Sequence, residues 1–294
     1  DLEGFPKALK LACTTADTSI GAGEFLGLSY FFEGQDVQGL EKGFSTAKPV
    51  TVSFYVKGNA SATYTAELKD SDNSRTNGQT FSVTTDCTRV KLTYPGDTTG
   101  KLNNDNGLSF ALSLFLHGGS TYTGGTFTNG TWASEVAANR ISSSNSSFYD
   151  STSRTFFITG LQIELGEQAT PFEHRSFADE LRRCQRYAYK IGGSRSDTYG
   201  PGMGLYQDGN EFNFGPVFPP VTFRANPSLT VFGTAPAIKI NGGANTGFTA
   251  TISCAANEMQ FIRLTKSSHG LSASHVANMN FASTSDYIIL DAEL

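Results

Sequence analysis

Paired carboxylates are the first residues of this chain whose types and spacing could do chemistry. Glu164 and Glu173 flank a turn at Gly166, and two carboxylates about 5 to 9 Å apart can hydrolyse a glycosidic bond. Glu164, however, falls on alternate positions of a strand pattern, and Glu173-His174-Arg175 forms the polar approach to a helix, so both suit structural duty better. His117, His174, His269 and His275 stand apart without metal-binding spacing and are expected at the surface. No Gly-x-Ser-x-Gly elbow precedes a helix. The runs Gly118-Gly119-Ser120 and Gly192-Gly193-Ser194 lack the Lys-Ser/Thr that a phosphate loop requires. Asp70-Ser71-Asp72-Asn73-Ser74 begins like a calcium loop and makes Asp70 and Asp72 candidate ligands. Arg75 then stands where the sharp-turn Gly belongs and Phe81 where the bidentate Glu belongs, so a hairpin loop is the simpler reading. No catalytic residue, firm metal site or cofactor is expected.

Binding is better served than catalysis. Sugars lay their apolar faces on aromatic rings, and Tyr and Trp combine such a face with a polar handle. Trp132, the only Trp, and Tyr199 and Tyr206 in a Gly-rich stretch are the glycan-binding candidates, with Phe212 and Phe214 close behind. Trp132 suits sheet packing as well, and the tyrosines suit packing against a neighbouring chain.

Composition narrows the partners. The formal net charge of −5 argues against nucleic acid, which needs a basic stripe to displace counterions. No apolar run approaches the roughly 20 residues of a membrane span. Cys13, Cys87, Cys184 and Cys254 lie far apart without Cys-x-x-Cys spacing, which removes zinc-ribbon and thioredoxin-like readings. Their even number leaves disulfides open, but free thiols in a reducing cytoplasm are the simpler expectation. The chain opens on Asp1 without an initiator Met, and an upstream segment is expected.

The elements that must position these groups are strands. Apolar residues alternate at Leu9 to Cys13, Leu28 to Glu33, Val50 to Val56, Ala62 to Leu68, Phe81 to Thr84, Val90 to Tyr94, Leu108 to Leu116 and Phe156 to Leu165. Turn chemistry separates them, as in Lys57-Gly58-Asn59 and Pro95-Gly96-Asp97. About eight strands predict a two-sheet jelly roll over 1–175. From Ser176 the period changes: Phe177, Leu181, Cys184 and Ala188 share one helical face, and Ser176 with Asp179 can cap the start. A bridging helix over 176–190, docked by that face, is predicted. On its other side Arg182, Arg183 and Arg186 suit either interchain salt links or a solvated surface. Ile191 to Gly204, rich in glycine, reads as a loop or extended connection. Alternation resumes at Val217 to Phe223, Leu229 to Phe232, Ile238 to Ile240, Phe248 to Ser253, Met259 to Leu264, Val276 to Phe281 and Tyr287 to Leu290. It predicts a second, smaller β domain over 191–294. The fold class is therefore all-β.

The junction itself carries a resemblance. Thr159-Gly160-Leu161-Gln162-Ile163-Glu164-Leu165-Gly166, then Ala169-Thr170-Pro171-Phe172-Glu173-His174-Arg175, then Glu180-Leu181-Arg182-Arg183-Cys184-Gln185-Arg186-Tyr187 is similar to a segment of tail-fibre-type structural proteins of tailed phages. Cys13-Thr14-Thr15-Ala16-Asp17-Thr18, Lys48-Pro49-Val50-Thr51-Val52-Ser53-Phe54 and Pro95-Gly96-Asp97-Thr98-Thr99-Gly100 extend it over most of residues 1–190. The resemblance implies a non-enzymatic virion component with a carbohydrate-binding-module-like jelly roll and a distal domain that forms a trimeric tip. It implies a homotrimer assembled in the host cytoplasm, joined to other tail or head proteins through an upstream part and directed at host-surface glycan. A secreted bacterial carbohydrate-binding module or adhesin is the alternative. A capsule depolymerase fits less well, because neither paired carboxylates in a groove nor a β-helical repeat is visible.

Overall fold

The computed structural model describes residues 4–192 and, beyond them, 198–208, 211–234, 237–240, 243–245, 249–252, 260–265, 276–281 and 285–293. It divides into two compact units, one running to Glu173 and the other spanning His174–Glu293.

The first unit is the expected two-sheet sandwich. A four-stranded sheet has the order β1-β9-β3-β6, from β1 (Leu9–Ala12), β3 (Val50–Gly58), β6 (Thr88–Tyr94) and β9 (Thr155–Leu165). A five-stranded sheet has the order β2-β7-β4-β5-β8, from β2 (Phe25–Glu33), β4 (Ala62–Asp70), β5 (Arg75–Val83), β7 (Leu108–Gly118) and the short β8 (Ala133–Ser134). Period-two patterning turns Val52, Phe54 and Val56 of one sheet toward Tyr64, Leu68, Leu112 and Leu116 of the other, all at most 1% exposed. Phe54 meets Phe81 edge-on at 5.1 Å and Tyr64 meets Phe156 at 5.8 Å. Each such buried side chain contributes about 1.5 to 3 kcal/mol by leaving water. Tyr94 on β6 ties the layers together by donating to the Ala66 carbonyl on β4 at 3.0 Å, and burial pushes its phenol up.

Two glycines allow close approaches that any side chain would block. Gly160, at φ +60, sits at a register shift in β9, where a Cβ would lie 2.7 Å from Phe5 and 3.0 Å from Tyr55. A Cβ on Gly78 of β5 would lie 2.6 Å from Phe127. Phe127 belongs to the excursion 119–149, which holds a one-turn helix, α1 (Ser120–Thr123), and lies over the outer face of β4 and β5.

Where one end of the sandwich closes, Lys42 is buried with its ammonium 2.5 Å from Asp70 Oδ2, 3.0 Å from Asp97 Oδ2, 2.7 Å from the Thr99 carbonyl and 3.1 Å from that of Gly100. Arg75 completes the set, its Nε 2.7 Å from Asp97 Oδ2. Burial alone would raise the Asp97 carboxyl, but Arg75 and Lys42 outweigh it and hold the group below its ordinary value. Asp70, the first of the calcium candidates, is thus paired with the chain's own cation. Two carboxylates and two carbonyls do form an oxygen cage, but the chain's own ammonium fills it. Asp72 is engaged elsewhere, accepting from the backbone and side-chain amides of Asn103.

The second unit opens on α2 (Phe177–Gln185), whose cap is the expected one, Ser176 accepting from the Asp179 amide at 3.2 Å. The predicted docking face is not buried, since Phe177 is 82% and Leu181 42% exposed and Cys184 is exposed as well. Ala188 is not helical. It begins β10 (Ala188–Gly192), which pairs with β19 (Tyr287–Asp291), itself paired with β13 (Ser228–Phe232). Ala188 falls at the helical spacing after Cys184, but Ala188-Tyr189-Lys190-Ile191 also alternates, and a waiting strand partner decides the outcome.

A seven-stranded sheet runs β15-β14-β18-β11-β12-β17-β16, from β11 (Thr198–Asp208), β12 (Glu211–Val217), β14 (Ala237–Ile240), β15 (Gly243–Asn245), β16 (Thr249–Ile252), β17 (Gln260–Thr265) and β18 (Val276–Phe281). Where it is described in this sheet, at 198–204, the Gly-rich stretch is thus strand rather than loop or connection, held by partners on both edges. Val217 to Phe223 is the reverse case. β12 stops at Val217, because Pro219 and Pro220 cannot donate to a ladder. Phe214, Phe223, Phe281, Ile288 and Leu290 form this unit's core.

Candidate functional site

The outer face of the five-stranded sheet carries the candidate site. Alternation that buries Leu112 and Leu114 turns Ala111, Ser113 and Phe115 of β7 outward, and the same rule turns Phe25, Ser29 and Phe31 of β2 and Glu67 and Lys69 of β4 to that face. The excursion 119–149 covers β4 and β5, and Ala111, Ser113 and Phe115 of β7 are buried, which leaves Phe25 and Phe31 of β2 exposed beside the excursion. Between them runs a groove of about 200 Å³, walled by Phe25 and Phe31 on one side and by Tyr122, Arg140 and Lys69 on the other. Phe25 is 54% exposed and stands edge-on to Tyr122 at 5.2 Å and to Phe115 at 6.1 Å. On the floor, the Ser29 and Ser113 hydroxyls share a hydrogen bond of 2.9 Å.

The charges of the groove are closed among themselves. Glu67, fully buried, accepts from Arg140 Nε at 3.1 Å on each oxygen and from Nη2 at 2.5 Å. Glu135 takes Lys69 Nζ at 2.8 Å and Arg140 Nη1 at 3.4 Å. The guanidinium also lies 5.4 Å over the Phe115 ring. Burial pushes the Glu67 carboxyl up while Arg140 pulls it down, and burial prevails. Two carboxylates near a groove invite comparison with a glycosidase, but both oxygens of Glu67 are held by Arg140, and Glu135 is paired with Lys69 and Arg140. Aromatic faces and edges of this kind can take a sugar ring, and charged but internally balanced groups can meet its hydroxyls.

The residues singled out from sequence lie elsewhere. Trp132 is half-buried, its Nε1 donating to the Pro95 carbonyl at 2.7 Å and its ring 6.1 Å from Phe110 and 5.6 Å from the Lys42 ammonium. It packs over the buried ion cluster instead of offering a free platform. Tyr199 and Tyr206 are on β11, but their side chains lie outside the described residues, as do His269, His275 and Cys254. Cys13, Cys87 and Cys184 are free thiols. Glu164 accepts from the Thr170 amide at 3.1 Å and its hydroxyl at 2.5 Å, anchoring the return after Gly166. His117, expected at the surface, is 7% exposed against Tyr149; burial lowers its imidazole pKa, against the pull of Glu24 and Asp17. Among the described residues no group of three or more His, Cys, Asp or Glu side chains could hold a metal.

Sequence reasoning missed Phe25, Tyr122 and Arg140. Phe25 was within reach, because Phe25, Gly27, Ser29 and Phe31 alternate outward along β2. Tyr122 and Arg140 come from irregular chain that has no period to follow.

No protein-family model matches the chain, and no curated protein matches it. Among solved structures it is similar to the N-terminal CBM22-1-CBM22-2 tandem domain of Xyn10C from Paenibacillus barcinonensis, at 12% identity over 98% of both chains with a TM-score of 0.22. It is also similar to a chain of Red Clover Necrotic Mosaic Virus, at 12% identity over 100% of this chain and 92% of that one, with a TM-score of 0.18. Scores this low lend no weight to either function.

Proposed function

We propose that this chain is a non-enzymatic attachment protein of a tailed-phage particle, a tail fibre or related appendage, that holds a host-surface saccharide in the groove on its five-stranded sheet. The observation that carries the binding role is the meeting of Phe25, Phe31, Phe115 and Tyr122 with a closed Glu67–Arg140–Glu135–Lys69 network around an open groove. The non-enzymatic reading is supported by the cations that hold Glu67 and Glu135, the carboxylates paired with the groove's Lys69 and Arg140. The virion role is supported by the junction and upstream segments that resemble phage fibre proteins. A homotrimer is supported by the apolar side chains of α2 left uncovered in the single chain, which another copy would cover.

The purified chain should bind saccharide fragments of a bacterial surface polysaccharide on an array, release no sugar from them, and compete with particle adsorption. Its molar mass by light scattering should be three times that of the 31.5 kDa chain. Sugar release would replace this reading with a depolymerase, and a monomer that binds glycan would favour a secreted carbohydrate-binding module.

A further inference from the structure

The opposite face of the sandwich has different chemistry. On the outer side of the four-stranded sheet, antiparallel register sets Phe157 of β9 directly between Lys10 of β1 and Lys57 of β3. One rung further, Tyr55 lies between Thr159 and Arg89, and the next rung sets Ser53 between Gln162 and Lys91. Rungs on one face repeat about every 6.6 Å and strands lie about 4.8 Å apart, so this is a compact patch in which basic and aromatic residues interleave. The Lys10 ammonium lies 5.6 Å from the Phe157 centroid and the Arg89 guanidinium 5.6 Å from that of Tyr55. Beside them opens a cavity of about 270 Å³ lined by Phe5, Lys7, Tyr55, Lys57, Phe157 and Thr159. Gly160 makes that wall possible, since a side chain there would displace both Phe5 and Tyr55.

Among the described residues, the lysines of this face lack carboxylate partners. Lys7, Lys10, Lys57 and Lys91 are exposed, and among the described residues none has a carboxylate within ion-pair distance. Glu164, on the same face, is taken up by Thr170. Arg89 donates to Ser53 Oγ at 3.0 Å and to the Thr170 carbonyl, while its buried Nε has no partner. In a chain of net charge −5, a cluster of unpaired cations around two aromatic rings is a local inversion of sign.

We propose that this face is a second saccharide site, selective for sugars that carry an anionic group such as phosphate. The rings of Phe157 and Tyr55 would take the sugar's apolar face, and Lys7, Lys10 and Lys57 its charge, lysine being a compact point charge suited to phosphate. The patch spans only a few rungs of one small sheet, and the chain's overall negative charge opposes a long polyanion, which favours a short anionic saccharide over nucleic acid. The proposal goes beyond the attachment role, and it uses no residue of the groove.

The test is calorimetric titration of the full chain with glucose 6-phosphate, glucose, inorganic phosphate and a short single-stranded oligothymidylate. Glucose 6-phosphate should bind more tightly than the other three, and its binding should weaken with added salt. Lys10→Ala and Lys57→Ala should each weaken it by about fivefold, as expected for loss of one exposed charge pair, and Phe25→Ala in the groove should leave it unchanged. The proposal is overturned if glucose 6-phosphate gives no heat. It is equally overturned if phosphate alone binds as tightly, marking an unspecific anion, or if the oligothymidylate binds more tightly, marking a nucleic-acid face. A loss on Phe25→Ala would assign the binding to the groove instead.

Discussion

The two outer faces of the sandwich are built on the same core and by the same alternation, yet they present opposite solutions to charge. On the five-stranded sheet Lys69 and Arg140 are matched by Glu135 and Glu67, so the groove is polar without a net field. On the four-stranded sheet Lys7, Lys10, Lys57 and Lys91 keep their charge in water. The difference traces to the excursion 119–149, which brings Glu135 and Arg140 down onto one face only. In the proposed roles, partnering, more than the number of charges, sets the ligand: internally balanced groups leave ring stacking and hydroxyl recognition, while free cations would select an anion.

Removing one partner should break this comparison most severely. Arg140→Ala leaves Glu67 buried and uncompensated and should cost about 3 to 5 kcal/mol in urea unfolding. Lys57→Ala on the other face should stay within about 0.5 kcal/mol, because an exposed unpaired charge holds nothing in place. Equal losses from the two would mean that the faces do not differ as described. Next in size, Phe25→Ala should weaken a neutral oligosaccharide about tenfold, or roughly 1.4 kcal/mol, while changing unfolding by less than about 1 kcal/mol. Calcium, added to the full chain, should leave its melting temperature unchanged, since Lys42 fills the oxygen cage. A rise that saturates with calcium would show the cage open to metal.

The smallest effect expected is in acid. His117 has a lowered pKa in the folded chain, so below about pH 6.5 the unfolded state binds more protons and stability falls until the pH has passed the folded value. Asp97, also lowered, gives stability that is present above about pH 3.9 and is lost as the pH drops through its folded value. His117→Gln should flatten the upper step of a denaturation-against-pH curve and leave the lower one. An unchanged upper step would assign it to another group.

Much of the sandwich was legible because its strands alternate without interruption. Val50, Val52, Phe54 and Val56 can be nothing but a one-sided strand, and all eight expected strands of the first unit are present. What failed did so where side chains stop reporting on backbone. β11 is rich in glycine, so it shows no alternation although both its edges are paired. Ala188 satisfies helical and strand periods at once, and only β19 decides between them. The groove was hidden for a related reason: its floor lies on predictable strands, but Tyr122 and Arg140 arrive from irregular chain. Trp132 drew attention as a rare aromatic, whereas its indole closes over the Lys42 cluster.

The most direct test of the central claim is a crystal structure of the full chain with an oligosaccharide selected on a surface-polysaccharide array. The account predicts a sugar ring seated against Phe25 and Tyr122, its hydroxyls within hydrogen-bond distance of Lys69 or Arg140. A saccharide bound only at Trp132 or in the second unit, with the groove empty, would contradict it.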